Sequence, residues 1–90
     1  MKRGGEEWLP PDEAIRAIEE ARASCVPFYG FDGGYLTGNS TTPSLADSKD
    51  YSYPTYPNIT DPYDDAMSFI ESRKGTGLLF SLVFGQKNLN

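Results

Sequence analysis

The sequence predicts a small irregular α or α+β chain: two short amphipathic helices at about 11–24 and 62–74, a long loop-rich middle, and an apolar strand-like segment at the C-terminal side. Three observations lead there. Two windows carry helix-start signals together with apolar residues at helical spacing. The stretch between them, 26–60, shows no such period. Strong core formers are also scarce: Ile, Leu, Val and Phe together fill only one position in five, at the low edge for chains that fold alone. A chain of 90 residues suits a single small unit spanning 1–90. One cysteine forms no internal disulfide, and the absence of His removes the commonest metal ligand. A domain this small usually needs a staple, so the sequence predicts extended arms stabilised by partner chains.

Residues 1–10 read as an arm anchored by Trp8, with Leu9-Pro10-Pro11 forcing an extended entry to a helix. Pro11 suits the first helical position, where an amide would be unbonded anyway. Asp12 and Glu13 then meet the positive end of the helix dipole. The helical segment 11–25 has a narrow apolar stripe of Ala14, Ile18, Ala21 and Cys25, with Ile15 on its flank. This predicts Cys25 to be a packed thiol. Asp12 and Arg16, and Glu19 and Arg22, are spaced to pair across one turn.

The segment 26–60 is rich in Gly, Ser, Tyr and Pro and is expected to run as an extended loop draped over a neighbour, because structureless stretches of that length are unusual inside a compact domain. Within it, Asp32-Gly33-Gly34 suits a tight turn between Phe28-Tyr29 and Tyr35-Leu36. Tyr51, Tyr53 and Tyr56 alternate with Pro54 and Pro57, a composition that favours an extended path carrying rigid contact residues. Plain loop vocabulary explains the same tract equally well.

In 61–75, Asp61 as cap, Pro62 at the first position, Asp64 and Asp65 in the first turn, Arg73 and Lys74 at the end and Gly75 beyond all agree on a helix. Its apolar face is Tyr63, Ala66, Met67 and Ile70, with Phe69 at the margin. The three aspartates lack the alternate-position spacing of a calcium loop, and capping accounts for them. In the last segment, 76–90, the run Leu78-Leu79-Phe80-Ser81-Leu82-Val83-Phe84 is expected to form a strand paired with, or buried by, another subunit, followed by a polar tail. The competing arrangement folds it back on the second helix as a private core.

The net charge is −5, and the eight basic residues are scattered. That argues against nucleic-acid binding, which depends on a clustered basic surface. No apolar run approaches the roughly 20 residues of a membrane-spanning helix, and no secretory signal or transit peptide is expected. With no His, no base to activate Cys25 and no phosphate-loop or nucleophile-elbow pattern, an enzyme, a cofactor and a metal are not expected. The leading expectation is a non-enzymatic structural subunit that bridges or cements larger proteins in an assembly such as a phage virion, located in the particle or the cytoplasm. The alternatives are a peripheral accessory subunit touching a photosynthetic or respiratory membrane complex, and a small regulatory binding module. The residues expected to bind partners are Trp8, Tyr51, Tyr53, Tyr56, Leu78, Phe80, Leu82 and Phe84.

Overall fold

The stretch from Phe28 to Asp50 is a β-hairpin, which overturns the irregular, loop-rich middle that its composition suggests. A computed structural model describes residues 2–3, 6–51 and 61–85, with side chains from Glu7 onward. The elements run β1 (Lys2–Arg3), β2 (Glu6–Glu7), α1 (Pro11–Ala23), β3 (Phe28–Thr37), β4 (Ser40–Asp50), α2 (Pro62–Ser72) and β5 (Leu79–Phe84). β1 and β2 form a small antiparallel ribbon, while β3 is the centre of a three-stranded antiparallel sheet in the order β4-β3-β5. The fold is therefore α+β, with helices and sheet around one shared core and not an irregular chain of arms.

The hairpin turn also differs from expectation. Asp32, Gly33 and Gly34 stand mid-strand in β3, and the turn is Gly38-Asn39, where Thr37 pairs with Ser40. Gly38 has φ +61°, which suits the first central position of a two-residue hairpin turn. Gly33 serves close approach instead: a methyl there would lie 2.6 Å from the Asp47 carbonyl oxygen and 2.8 Å from its Cβ. In β4, residues 45–48 bulge out opposite Asp32 alone, because Gly33 pairs with Ser44 and Phe31 with Lys49. A second irregularity between Phe28 and Gly30 puts Phe28 and Phe31 on the same face, so the burial does not alternate simply.

Both helices cover that face. Phe28, Phe31, Phe80, Leu78, Ile18, Ile70, Ala14 and Ala66 form one buried cluster, with Leu9, Ile15, Tyr51, Tyr63, Met67, Phe69 and Leu82 packed around it. Phe31 is its hub, with ring centroids 5.7 Å from Phe80 and 5.4 Å from Phe69. The C-terminal run thus pairs with β3 of its own chain, and the expected burial by another subunit is corrected to burial in a private core. The radius of gyration, 12.9 Å, is close to the ~12 Å of a folded domain of this length.

The helices lie as their sequence signals indicate, with altered ends. Asp61 Oδ1 accepts the Asp64 amide at 3.1 Å, a side-chain cap three residues ahead. α2 stops at Ser72, and Arg73 closes it. Arg73 then turns its guanidinium over the Phe69 ring, 4.3 Å from the centroid. The intrahelical ion pairs expected in α1 give way to pairs between helices: Arg22 meets Asp61 at 2.6 Å and Asp12 meets Lys74 at 2.8 Å. The first joins the end of α1 to the start of α2 and the second the reverse, so the helices run antiparallel. Both pairs are exposed and set orientation more than stability.

Cys25 is exposed, which corrects the expectation of a packed thiol. The helical stripe ends before it because the chain turns left-handed there, at φ +58°. The Val26 amide donates to the Ala21 carbonyl at 2.8 Å and the Cys25 amide to the Arg22 carbonyl at 3.2 Å, which makes Cys25 the helix-ending residue that is normally glycine. Replacing Cys25→Gly is expected to stabilise the fold by about 0.5–1 kcal/mol, by removing the Cβ cost of that conformation. Thermal melts of the two proteins check it, together with rapid maleimide labelling of the parent thiol.

Two carboxylates on the buried side tie α2 to β4. Arg73 Nε donates to Asp47 Oδ1 at 2.8 Å and Ser44 Oγ to Asp47 Oδ2 at 2.7 Å, and these bonds hold the Asp47 carboxyl below its ordinary pKa. Burial pushes the Asp65 carboxyl up, yet bonds from the Tyr51 hydroxyl at 2.6 Å and the Lys49 ammonium at 2.9 Å outweigh it, and its pKa is also lowered. A carboxyl with a depressed folded pKa contributes stability above its unfolded value, about 3.9, and loses it as pH falls through the folded value. The urea midpoint is therefore expected to be flat from neutrality to about pH 5 and to fall steadily below pH ~4. In Asp47→Asn, the midpoint should be lower at pH 7 and the acid decline shallower.

Candidate functional site

Beyond the core, the distinctive feature of the fold is an unfinished sheet edge. Leu9 and Phe80 exchange two backbone bonds of 2.8 Å, so Phe80 turns its N–H and C=O away from β3 and towards the N-terminal arm. Backbone direction alternates along a strand, and Leu82 and Phe84 consequently turn theirs the same way. The pairing at the strand's end agrees, since the Gly85 amide bonds inward to the Pro27 carbonyl at 2.8 Å. Among the described residues the arm is bonded to β5 only at Leu9, although β2 stays alongside the strand, with Glu7 beside Leu82 and Phe84. Among the described residues nothing bonds the outward N–H and C=O groups of Leu82 and Phe84.

The opposite edge is treated differently. Asp32 and Gly34 face β5, where they pair with Ser81 and Leu79, so Pro43, opposite Gly34, faces outward from β4. Its missing N–H falls on the open side, and the 45–48 bulge breaks the same edge two residues later. Proline and a bulge are the usual devices that stop a strand from adding to an edge. The sequence of β5 from Leu82 to Phe84 has neither.

A groove of about 390 Å³ runs along this edge, between the arm, α1 and β5. Leu82 and Phe84 line the sheet side, Ala17 the helix side, and Leu9 and Glu7 the arm side. The small side chain of Ala17 is what keeps the helix wall low. Val83 is 46% exposed and Phe84 37%, and Tyr29 on the neighbouring strand is 46% exposed. Val83 lies opposite Gly30, which puts it on the sheet face turned away from the helices. A shallow extension of the groove towards α1 adds Glu13, Arg16 and Glu20.

No family model matches the chain, and no curated protein is similar to it. Among the described residues, no group of three or more His, Cys, Asp or Glu is placed to hold a metal ion. Among them, too, no helix is long and apolar enough to cross a membrane.

The residues expected to bind partners divide sharply. Leu78 and Phe80 are core residues, and Trp8 is 5% exposed, packed over Gly34, where an added methyl would come within 3.1 Å of its ring. Tyr51 is half-buried, its ring 5.8 Å from that of Phe28 and its hydroxyl on Asp65. These four have their contacts within the chain. Tyr53 and Tyr56, and the rest of the Tyr-Pro tract, lie outside the described residues, as does the polar tail after Gly85. Of the expected residues that are described, Leu82 and Phe84 border the groove. Sequence reasoning missed Glu7, Ala17, Tyr29 and Asp32 as its neighbours. Only the alternation Phe28-Tyr29 hinted at an outward aromatic, and the bulge after it hides that period.

Proposed function

We propose that this chain is a non-enzymatic structural subunit that joins larger proteins in a multi-subunit assembly, and that it does so through the β5 edge and the apolar side chains around it. One observation carries the reading: among the described residues, Leu82 and Phe84 leave outward backbone groups unbonded beside exposed Val83, Phe84 and Tyr29, whereas the β4 edge is blocked by Pro43 and a bulge. An apolar open edge left in water invites pairing with another chain, and natural folds usually guard against it. A small core that is complete without a partner fits a module that arrives folded and docks.

The test is purification of the tagged chain from its native source, alongside Val83→Glu. Val83 is exposed and on the outer face, so this variant is expected to keep the parent's circular dichroism and melt. The parent is expected to elute with defined partner chains, far ahead of a free monomer, and the variant without them. Elution of the parent alone, as a free monomer, would overturn the reading.

A further inference from the structure

We propose that the tip of the β3–β4 hairpin is a second contact surface, a preformed finger that inserts into an uncharged cleft of a partner protein. The inference rests on the reading of the chain as a protein-joining subunit: joining takes two surfaces, and the finger is the second. It stands at the far end of the sheet from the exposed β5 residues. Val83 pairs with Gly30 near the start of β3, and Thr37 pairs with Ser40 at its end. The two places are about 23 Å apart at strand spacing, so a protein docked at one leaves the other open.

The finger projects, for every residue from Tyr35 to Ser40 is exposed, as are Thr42, Pro43, Leu45 and Ala46. It is also held in one shape. Pairing runs unbroken from Gly33–Ser44 to Thr37–Ser40, the Thr37 and Thr42 hydroxyls bond at 3.0 Å, and Trp8 packs over Gly34 at the base. A binder that already has its bound shape loses little freedom on docking. Finally, it carries no charge. From Gly33 to Ala46 there is no Asp, Glu, Lys or Arg, although these make up 23% of the chain. Exposed strands are usually guarded by charged side chains, and this one shows Tyr with Ser, Thr, Gly and Asn, the composition of loops that bind other proteins.

The same features define what the finger fits. Tyr35 stands on the face of β3 that carries Phe31 and Leu36 on the other, and Leu45, 89% exposed in the β4 bulge, adds a third apolar side chain. Apolar contacts on both faces call for a cleft that closes over both, since a flat surface covers only one. The hydroxyls and amide of Thr37, Asn39, Ser40 and Thr42 need new hydrogen-bond partners when water leaves them. A protein cleft supplies those, and a lipid interior does not. A charged group on the cleft wall would lose its water against a neutral finger and gain no opposite charge, so the matching walls are uncharged. A second copy of this chain does not match, because its groove and its cavity of about 220 Å³ beside Gly30 both have Asp32 in their walls.

Hydroxyl-radical footprinting tests this, on the assembly purified through the tagged chain from its native source and on the free chain. Tyr35 and Leu36 are expected to be oxidised at least fivefold more slowly in the assembly. Three variants at one exposed position, Leu36→Lys, Leu36→Glu and Leu36→Gln, are expected to keep the parent's circular dichroism and melt. Either charge should lower recovery of the finger's partner chain at least tenfold, and Leu36→Gln should lower it less than both. Loss with one sign of charge and full recovery with the other would overturn the uncharged cleft. Shielding of Tyr35 and Leu36 in the free chain as its concentration rises, or on neutral phosphatidylcholine vesicles, would overturn the choice of occupant. If the chain co-purifies with partners while Tyr35 and Leu36 react as in the free protein, the finger proposal fails and the joining role stands. Purification as a lone monomer is the result that removes the joining role itself.

Discussion

Replacing Phe80→Ala is expected to leave the isolated chain largely unfolded. The side chain is fully buried, packs edge-on against Phe31, and sits on the strand that closes the core opposite both helices. Truncating a buried phenylalanine costs about 3–5 kcal/mol through lost transfer energy and the cavity left behind. A domain of this length has roughly 5–13 kcal/mol in all, and with strong core formers at only one position in five this one belongs low in that range. Far-ultraviolet circular dichroism and a urea titration of the purified variant measure the loss. The result also separates two roles for Phe80. If it served a partner, the variant would fold as the parent does and fail only in assembly. A parent-like melt would contradict the core described above.

A second large effect is expected from Gly33→Ala, a change of one methyl. The new carbon would stand 2.6 Å from the Asp47 carbonyl oxygen, and a backbone atom cannot step aside as a flexible side chain does. β4 would have to shift at the bulge, disturbing the Arg73–Asp47 pair at 2.8 Å and the 3.1 Å bond from the Gly33 amide to Ser48 Oγ. Overpacking of this kind costs typically about 1–3 kcal/mol, and the broken bonds put this site near the upper end. Gly38→Ala is the control: nothing lies within 4 Å of its added carbon, so only the φ of +61° opposes it, at about 1 kcal/mol. Denaturant midpoints should fall furthest in Gly33→Ala and less in Gly38→Ala. A Gly33→Ala protein as stable as the Gly38→Ala one would mean that β4 yields freely at the bulge.

The helices were legible because their signals are local. Asp61, Pro62 and the first-turn aspartates act within four residues of one another, and the chain needs no distant contact to obey them. The sheet was hidden for the opposite reason. Gly30, Gly33 and Gly34 have the composition of a turn, and only Asp47, Lys49 and Trp8 arriving from elsewhere show that those positions are places of close approach. β4 is rich in Ser, Thr and Pro because it is an edge, so it lacks the apolar alternation that marks a half-buried strand. The candidate site falls between these cases. The apolar run 78–84 pointed to Leu82 and Phe84, but which outward bonds of β5 are made among the described residues depends on the arm meeting the strand at Leu9, and no spacing within either segment encodes that.

The order of strands also sets how the molecule must assemble itself. β3 and β4 are joined by a two-residue turn and can zip in microseconds. The pairing of Gly33 with Phe80 joins positions far apart in the chain, and no packing rewards that long loop until Phe80 reaches Phe31. Until then the hairpin shows two bare edges and an aromatic face to the solvent. Refolding is therefore expected to pass through a sticky stage whose yield falls with protein concentration, and the late docking of β5 is the step that ends it.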